Sequence, residues 1–416
     1  MILLGRIIYS FLILLGILAT LASLYSLHLG RAYDHRVHAV LNGSKSGYSP
    51  RVCVIMPCKG EDTGLSQNME SVLKQDYPNY HVIMVFDNVS DPAYKIATSL
   101  LTKGSRTGMQ LCISRQRESR ASGKVSALLT AFEMDNGISQ AYAFVDSDAY
   151  LPSSSWLFEL VNPLMDSSIG ATTGFRWYIP DDGFWAYVKA AWNALGTNLM
   201  FDDKYNFPWG GAMVVRAETL DRLQIQKVWS DAISDDLALN TALRKHGYRI
   251  RFLPQCTVVT FIEKTTLPNL LRWTTNQIAL TKTYNRKLWN YALAVYAFFD
   301  LTFIAGLLAF VMELIRGPVW FVAATLLLSP LPIGIIRSWR RYVTFQYAMP
   351  MLREHSISRL RWSLASLIVP WIMTFGILKS TITSEIEWRG TKYKLRRGGR
   401  VATSRIFPKT TIRQTT

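Results

Sequence analysis

Four cysteines serve 416 residues, and no two form a CxxC pair. Cys53 and Cys58 lie on or beside an apolar run, while Cys112 and Cys256 stand far along the chain. That spacing argues against a disulfide framework and a zinc site, and predicts reduced, partly buried thiols. Acidic residues are few as well: 29 Asp and Glu against 46 Lys and Arg leave a formal charge of +17. A chain so basic suits polyanionic partners such as nucleic acid, anionic lipid headgroups or phosphate-bearing substrates. The aromatic signatures of RNA- and DNA-binding modules are missing, so nucleic acid drops out and an anionic lipid bilayer stays in. Gly123-Lys124 lacks the GxxxxGK[ST] spacing, which excludes a P-loop. Neither internal repeats nor low-complexity stretches are evident.

Apolar residues are what the chain has in abundance. They make up 49% of it, and the mean hydropathy is positive, as expected of a soluble core joined to a few membrane spans. Residues 7–29 carry no charge and are long enough to cross a hydrocarbon core of roughly 30 Å. A cleaved signal peptide would have a shorter apolar region followed by a small-x-small site, so an uncleaved anchor is the better reading. Arg31 and Arg36 follow this run and only Arg6 precedes it, which favours a cytoplasmic position for the next domain. Further span candidates follow at 291–315, 319–336 and 362–383. Arg316-Gly317-Pro318 between the first two suits a tight hairpin. Asp300 is costly in lipid and is expected to face protein or headgroups, and Pro370 is placed to kink the last helix. The tail from Arg389 carries nine basic residues. Counting spans puts that tail outside, whereas the positive-inside rule puts it inside; an interfacial or re-entrant last segment would reconcile the two. The expected layout is an integral, multi-pass protein with an anchor at 1–30, a cytoplasmic domain at 31–290, a membrane region at 291–384 and a basic tail at 385–416.

Between residues 51 and 260 short β-rich runs alternate with helical ones: RVCVIMP, HVIMVFD, MQLCISR and AYAFVD are strands, and GLSQNMESVLKQ, DPAYKIATSLLTK and GKVSALLTAFEMD are helices. The alternation predicts an α/β domain built on a mostly parallel sheet with helices on both faces. Such sheets bind ligands at the carboxyl ends of their strands, and the acidic signatures sit at such ends. Asp87 ends one strand. Asp146 and Asp148 form a D-S-D triplet after another, and two carboxylates at i, i+2 can converge on one hard divalent cation, Mg2+ or Mn2+. Asp235 and Asp236 open a helix-like segment behind Ser234, where they would also favour the helix dipole. Arg272 offers a planar fork for phosphate oxygens, beside Trp273; taken alone, that pair also fits a membrane interface. Residues 184–201 are amphipathic and aromatic-rich, fitting either an interfacial helix or a core helix.

The order D, DxD, (T/E)D, (Q/R)xxRW, here Asp87, Asp146-Ser147-Asp148, Asp235-Asp236 and Asn269 to Trp273, resembles membrane-embedded family-2-type glycosyltransferases with the GT-A nucleotide-sugar-binding fold. PCKGEDTGLSQNMESVLKQDYPNY and WRGTKYKLRRGG sharpen the resemblance toward the family 21 ceramide glucosyltransferases and their bacterial and archaeal relatives. The resemblance implies an inverting hexosyltransferase that uses a UDP-sugar donor, with glucose expected, and a membrane lipid acceptor such as ceramide or diacylglycerol. It gives Asp236 the role of general base, with Asp235 orienting it. Pro57, Glu61, Asp87, Lys124, Asp146, Arg272 and Trp273 become donor-binding residues, with Asp62 the other acidic candidate in the loop of Glu61, and Asp146 and Asp148 become metal ligands. The loop 207–213 would line the acceptor pocket. Asn269 departs from the usual Gln or Arg, which counts against a second reading, a processive polysaccharide synthase. A third reading, a non-catalytic lipid-binding membrane protein, is opposed by the intact acidic set. The complete D-S-D departs from animal members, which lack the second Asp, and this strengthens the expected metal dependence.

Overall fold

RVCVIMP forms β1 (Val52–Cys58) because a run of β-branched and apolar residues can be buried on both faces of a sheet. α2 (Leu65–Leu73), β2 (Tyr80–Phe86), α3 (Pro92–Thr102), β3 (Gly108–Ile113), α4 (Gly123–Asp135) and β4 (Ala141–Val145) continue the predicted alternation. α4 starts where Ser122 accepts a hydrogen bond from Val125 N at 3.3 Å and stops at Asn136, which takes the left-handed conformation. α5 (Trp156–Val161), β5 (Ile169–Thr173), β6 (Arg176–Pro180), α6 (Phe184–Ala194), β7 (Ala212–Arg216), α7 (Ala217–Arg222), α8 (Ile225–Trp229), α9 (Asp235–Lys245), β8 (Arg249–Phe252), β9 (Val258–Ile262) and α10 (Leu267–Tyr284) complete the α/β unit. The computed structural model describes residues 2–41, 47–102, 108–115, 121–317, 320–353, 357–396 and 401–406.

Among the described residues seven strands form one sheet in the order β3-β2-β1-β4-β7-β5-β8. All neighbours are parallel except β7, which runs antiparallel to β4 and β5. Alternation along β1 sends Val52, Val54 and Met56 into a core with α2, α3 and α5, and Cys53 and Ile55 into a second core with α4 and α9. This is the mostly parallel sheet with helices on both faces that the sequence predicts. A separate parallel pair, β6 and β9, presents Trp177 to the long apolar helices, where it stacks on Phe345 and Trp362.

Those helices are α1 (Ile2–Leu41), α11 (Arg286–Arg316), α12 (Phe321–Leu328), α13 (Pro330–Ala348) and α14 (Arg359–Ile382). Four segments among the described residues, 5–30, 286–315, 321–348 and 359–382, are long and apolar enough to cross a membrane. The third combines α12 and α13. Gly317, at φ +90, ends α11 where the hairpin was expected; Pro318 lies outside the described residues. Asp300 is buried as expected, and its Oδ2 accepts a hydrogen bond from Thr374 Oγ1 of α14 at 2.5 Å.

α14 keeps to the α/β unit along its length. At its start Ser358 N donates to Tyr187 Oη of α6 at 3.0 Å, and Trp362 stacks on Trp177 at 5.7 Å. Near its end Gly376 packs on α10 so closely that a Cβ there would lie 2.5 Å from Ile278 Cδ1. Lys282 Nζ donates to the carbonyls of Ser380 and Thr381 at 2.6 and 2.9 Å. The chain then forms a three-stranded antiparallel sheet, β10 (Glu385–Trp388), β11 (Thr391–Leu395) and β12 (Val401–Ile406). Asn276 Nδ2 of α10 donates to Glu387 O at 2.9 Å, so this sheet sits on the α/β unit.

Candidate active site

The carboxyl ends of β1, β2 and β4 and the N-termini of α4 and α9 meet at one end of a cavity of about 1640 Å³. Asp146 follows β4 directly, and its Oδ1 lies 2.8 Å from Lys124 Nζ, in the first turn of α4. The same ammonium lies 3.2 Å from Asp235 Oδ2 at the start of α9 and donates to Gly210 O at 3.2 Å. Asp148 Oδ2 pairs with Arg176 Nη1 of β6 at 3.1 Å. The guanidinium lies 4.9 Å from both the Tyr178 and Trp209 rings. Gly210 and Gly211 let the loop before β7 approach these groups. A Cβ on Gly210 would lie 2.5 Å from Asp235 Oδ2, and one on Gly211 would lie 2.7 Å from Asp146 Oδ2.

Asp235 is almost fully buried, whereas Asp236 is half-buried. Asp236 Oδ1 accepts from Leu237 N at 2.7 Å and from Ser234 Oγ, and Oδ2 accepts from Gly210 N at 3.2 Å. The N-cap arrangement and cavity exposure therefore coexist in one residue.

Burial and charge set the electrostatics. Burial alone would lower the Lys124 ammonium, but Asp146, Asp235 and Asp236 outweigh it and raise it. Asp146 is lowered overall: Lys124 and Arg176 overcome the burial that would raise it. Burial raises Asp148 despite Arg176. Asp235 is pushed up to about 7 by burial, against the pull of Lys124. Because a raised acid binds its proton more tightly in the folded state, the contribution of Asp235 to stability falls as pH rises from about 4 to about 7. The upper bound on that loss is about 4 kcal/mol. Thermal melts at about pH 5 and about pH 8 should show Asp235→Asn gaining stability relative to wild type at the higher pH. A parallel decline of both proteins would remove Asp235 as the source.

The other expected donor residues lie at the same end. Pro57 in β1 and Asp87 after β2 line the cavity, with Lys59 Nζ 2.7 Å from Asp87 Oδ2. Glu61 is exposed and is not part of the lining. Its neighbour Asp62 does not line the cavity either but is half-buried against residues that do: Ser147 Oγ donates to its Oδ2 at 2.5 Å and Arg389 Nη2 lies 3.0 Å from both its oxygens. Arg272 lines the cavity on α10 and donates to Asn269 Oδ1 at 3.0 Å. Trp273 meets Trp192 edge-on at 4.8 Å and has Lys189 Nζ 5.1 Å from its ring. The structure thus gathers every sequence-predicted site residue except Glu61.

Sequence reasoning passed over Arg176, Lys189 and Arg389, and left Asp62 as the alternative to Glu61. Arg176 and Lys189 each stand as a lone charge in an apolar segment, FRWYIP and FWAYVKAAWNA, which was the available signal. Burial and Arg176 lower the Lys189 ammonium to about 8. α6 joins the two readings of residues 184–201. Ala186, Val188 and Ala190 are buried, while Lys189, Trp192 and Asn193 line the cavity.

The donor set fits a divalent cation. Asp146 and Asp148 present hard oxygens to one cavity, and burial of Asp148 is a penalty that a nearby cation relieves. A second group, Cys53, His81 and Asp135, brings potential ligand atoms within 4.8 Å of one another toward the amino ends of β1 and β2. There Asp135 already accepts from Ser139 N and Oγ at 3.1 and 2.8 Å and from Tyr142 Oη at 2.7 Å, with His81 Nε2 at 3.0 Å. Burial also holds the Cys53 thiol well above its usual range. That chemistry is a hydrogen-bonded knot closing α4.

The profile of glycosyl transferase family 21 matches residues 11–401. The chain belongs to glycosyl transferase family 21. Family 21 membership makes it a glycosyltransferase acting on a nucleotide sugar, in keeping with the resemblance in its motifs. Among solved structures this family 21 chain is similar to the mannosyltransferase PcManGT from Pyrobaculum calidifontis in complex with GDP-Man and Mn2+. The identity is 17%, covering 89% of this chain and 99% of that one, with a TM-score of 0.46. Glucosyl-3-phosphoglycerate synthase from Mycobacterium tuberculosis, solved with Mn2+, UDP and glucosyl-3-phosphoglycerate, is 15% identical over 57% of this chain and 84% of its own, with a TM-score of 0.38.

Proposed function

We propose that this glycosyltransferase moves one sugar, glucose from UDP-glucose, to a hydroxyl of a membrane lipid such as ceramide or diacylglycerol, with inversion at the anomeric carbon. The observation that carries the reading is the continuity of the cavity. One end holds Lys124, Asp146, Asp148 and Asp236; the other is lined by α1, α11, α13 and α14 at Ala22, Val295, Ile333 and Val369. A lipid could keep its chains against those helices while its headgroup hydroxyl reaches Asp236. Extracting it into water would cost about 0.8 kcal/mol for each methylene exposed.

In this reading Asp236 takes the proton from the acceptor hydroxyl. The acceptor oxygen attacks the anomeric carbon from the face opposite the diphosphate, the bond to the diphosphate oxygen breaks, and the nucleoside diphosphate leaves. Lys124 and Arg272 meet the charge that develops on the leaving group. Asp146 and Asp148 would hold the divalent cation, which when bound neutralises diphosphate oxygens. Pro57 and Asp87 hold the base and ribose end of the donor. Trp273, fixed by Trp192, walls the sugar. Membranes incubated with labelled UDP-sugars test the assignment: label should move into organic solvent as a single-sugar lipid. Label retained as water-soluble polymer would replace this reading with a polysaccharide synthase.

Membrane placement follows from the α14 contacts. If α11, the α12–α13 segment and α14 all crossed, the terminal sheet would lie opposite the α/β unit, yet it rests on it. We therefore place α14 at the cytoplasmic membrane surface, with α1, α11 and the α12–α13 segment spanning. Cysteines introduced singly as Glu61→Cys and Lys394→Cys should react with an impermeant thiol reagent from the same side of sealed vesicles. Labelling from opposite sides would restore a crossing α14.

A further inference from the structure

β10 and β11 pair from Glu385↔Lys394 to Trp388↔Thr391, so Arg389 and Gly390 alone make the turn. Both have positive φ, +44 and +77. A two-residue turn of this hand favours Asn-Gly or Gly-Gly, since a larger side chain is strained in the left-handed region. Arginine at such a position persists where the surrounding structure needs its side chain. Here the side chain leaves the sheet and enters the active-site end of the cavity. Nη2 lies 3.0 Å from each Asp62 oxygen, and Nη1 donates to Lys59 O. Asp62 is tied in turn to Ser147, between Asp146 and Asp148. Four residues after Arg389, in β11, Tyr393 Oη accepts from Gly123 N at 3.2 Å, next to Lys124. The terminal sheet thus touches both loops that frame the acidic cluster.

Three other cations at this end are held by carboxylates: Lys59 by Asp87, Lys124 by Asp146 and Asp235, and Arg176 by Asp148. An arriving diphosphate adds negative charge to a region already rich in carboxylates. A guanidinium has five N–H donors in a planar fork, more than Asp62 and one carbonyl take up.

We propose that Arg389 is a donor-binding residue whose guanidinium meets the diphosphate of the nucleotide sugar, carried into the site by the β10–β12 sheet. The proposal rests on the donor-site reading above and adds the terminal sheet to it. Asp62 is the positioning residue that holds the fork in place.

Arg389→Asn separates this role from a structural one, because asparagine suits the turn better than arginine. The full-length chain in detergent is titrated with UDP and with uridine. In Arg389→Asn the dissociation constant for UDP should rise on the order of 10- to 100-fold, uridine binding should stay unchanged, and the melting temperature should hold or increase. Arg389→Lys, which keeps the charge without the fork, should fall between. Wild-type UDP affinity in Arg389→Asn, or equal loss for UDP and uridine, overturns the proposal. Hydrogen exchange on the wild-type chain gives a reading independent of how the variants fold: UDP should protect residues 385–395 and uridine should not, and equal or absent protection overturns it too. A wild-type chain that binds no nucleoside diphosphate would instead overturn the donor-site reading itself.

Discussion

Asp236→Asn should lower sugar transfer by about 100- to 10,000-fold, the usual worth of a general base, while UDP binding stays near wild type. An amide cannot accept the acceptor's proton, yet its oxygen can still take the hydrogen bonds from Leu237 N and Ser234 Oγ that fix the side chain. Gly210 N, which donates to the other oxygen at 3.2 Å, would face an NH2 group, so a modest loss of stability is expected and a melting curve accompanies the assay. Asp235→Asn is the control. Asp235 is buried beside Lys124, so its loss should disturb donor binding as well as turnover. Near-normal turnover in Asp236→Asn would end the general-base assignment. An equal fall in UDP affinity and turnover would make Asp236 a structural cap of α9.

The second large effect concerns the D-S-D pair. Asp148→Ala should weaken donor affinity about 10- to 100-fold in the presence of Mg2+ or Mn2+, and should abolish the difference that the metal makes. Asp146→Ala should act through a second route as well. It leaves Lys124 paired with Asp235, and a buried charge that loses a partner is destabilising. The measurement is donor affinity with metal and with chelator, for wild type and both variants. Full wild-type affinity and activity in chelator would show that the two carboxylates serve only Lys124 and Arg176.

Much of this was legible in the sequence because it is local. The strand–helix alternation from Arg51 to Asp148, the cap at Ser234 and the acids at strand ends all follow from short-range pattern and periodicity. Asp87, Asp146 and Asp148 were readable because a carboxylate after a buried strand stands out in sequence as in space. Glu61 and Asp62 show the limit. Neighbours in a loop are equivalent in sequence, and only the contacts with Ser147 and Arg389 tie Asp62 to the site. Arg176 and Lys189 escaped notice because a lone charge in an apolar segment is ambiguous until the rings of Tyr178, Trp209 and Trp273 are seen around it.

The sequence by itself determined the class of sheet, the four long apolar segments, the membership in a glycosyltransferase family and the set of acids available for chemistry. These depend on residue type and on spacing along one chain. Tertiary structure decided which charges pair, since Lys124 reaches both Asp146 and Asp235 only when α4 and α9 converge. It decided that the β10–β11 hairpin packs on the α/β unit, a contact on which hydropathy and charge counting are silent. Hydropathy records how much apolar surface a helix offers and says nothing of what covers it. In α14 the cover is α6 and α10, and the chain beyond it returns to place Arg389 in the site.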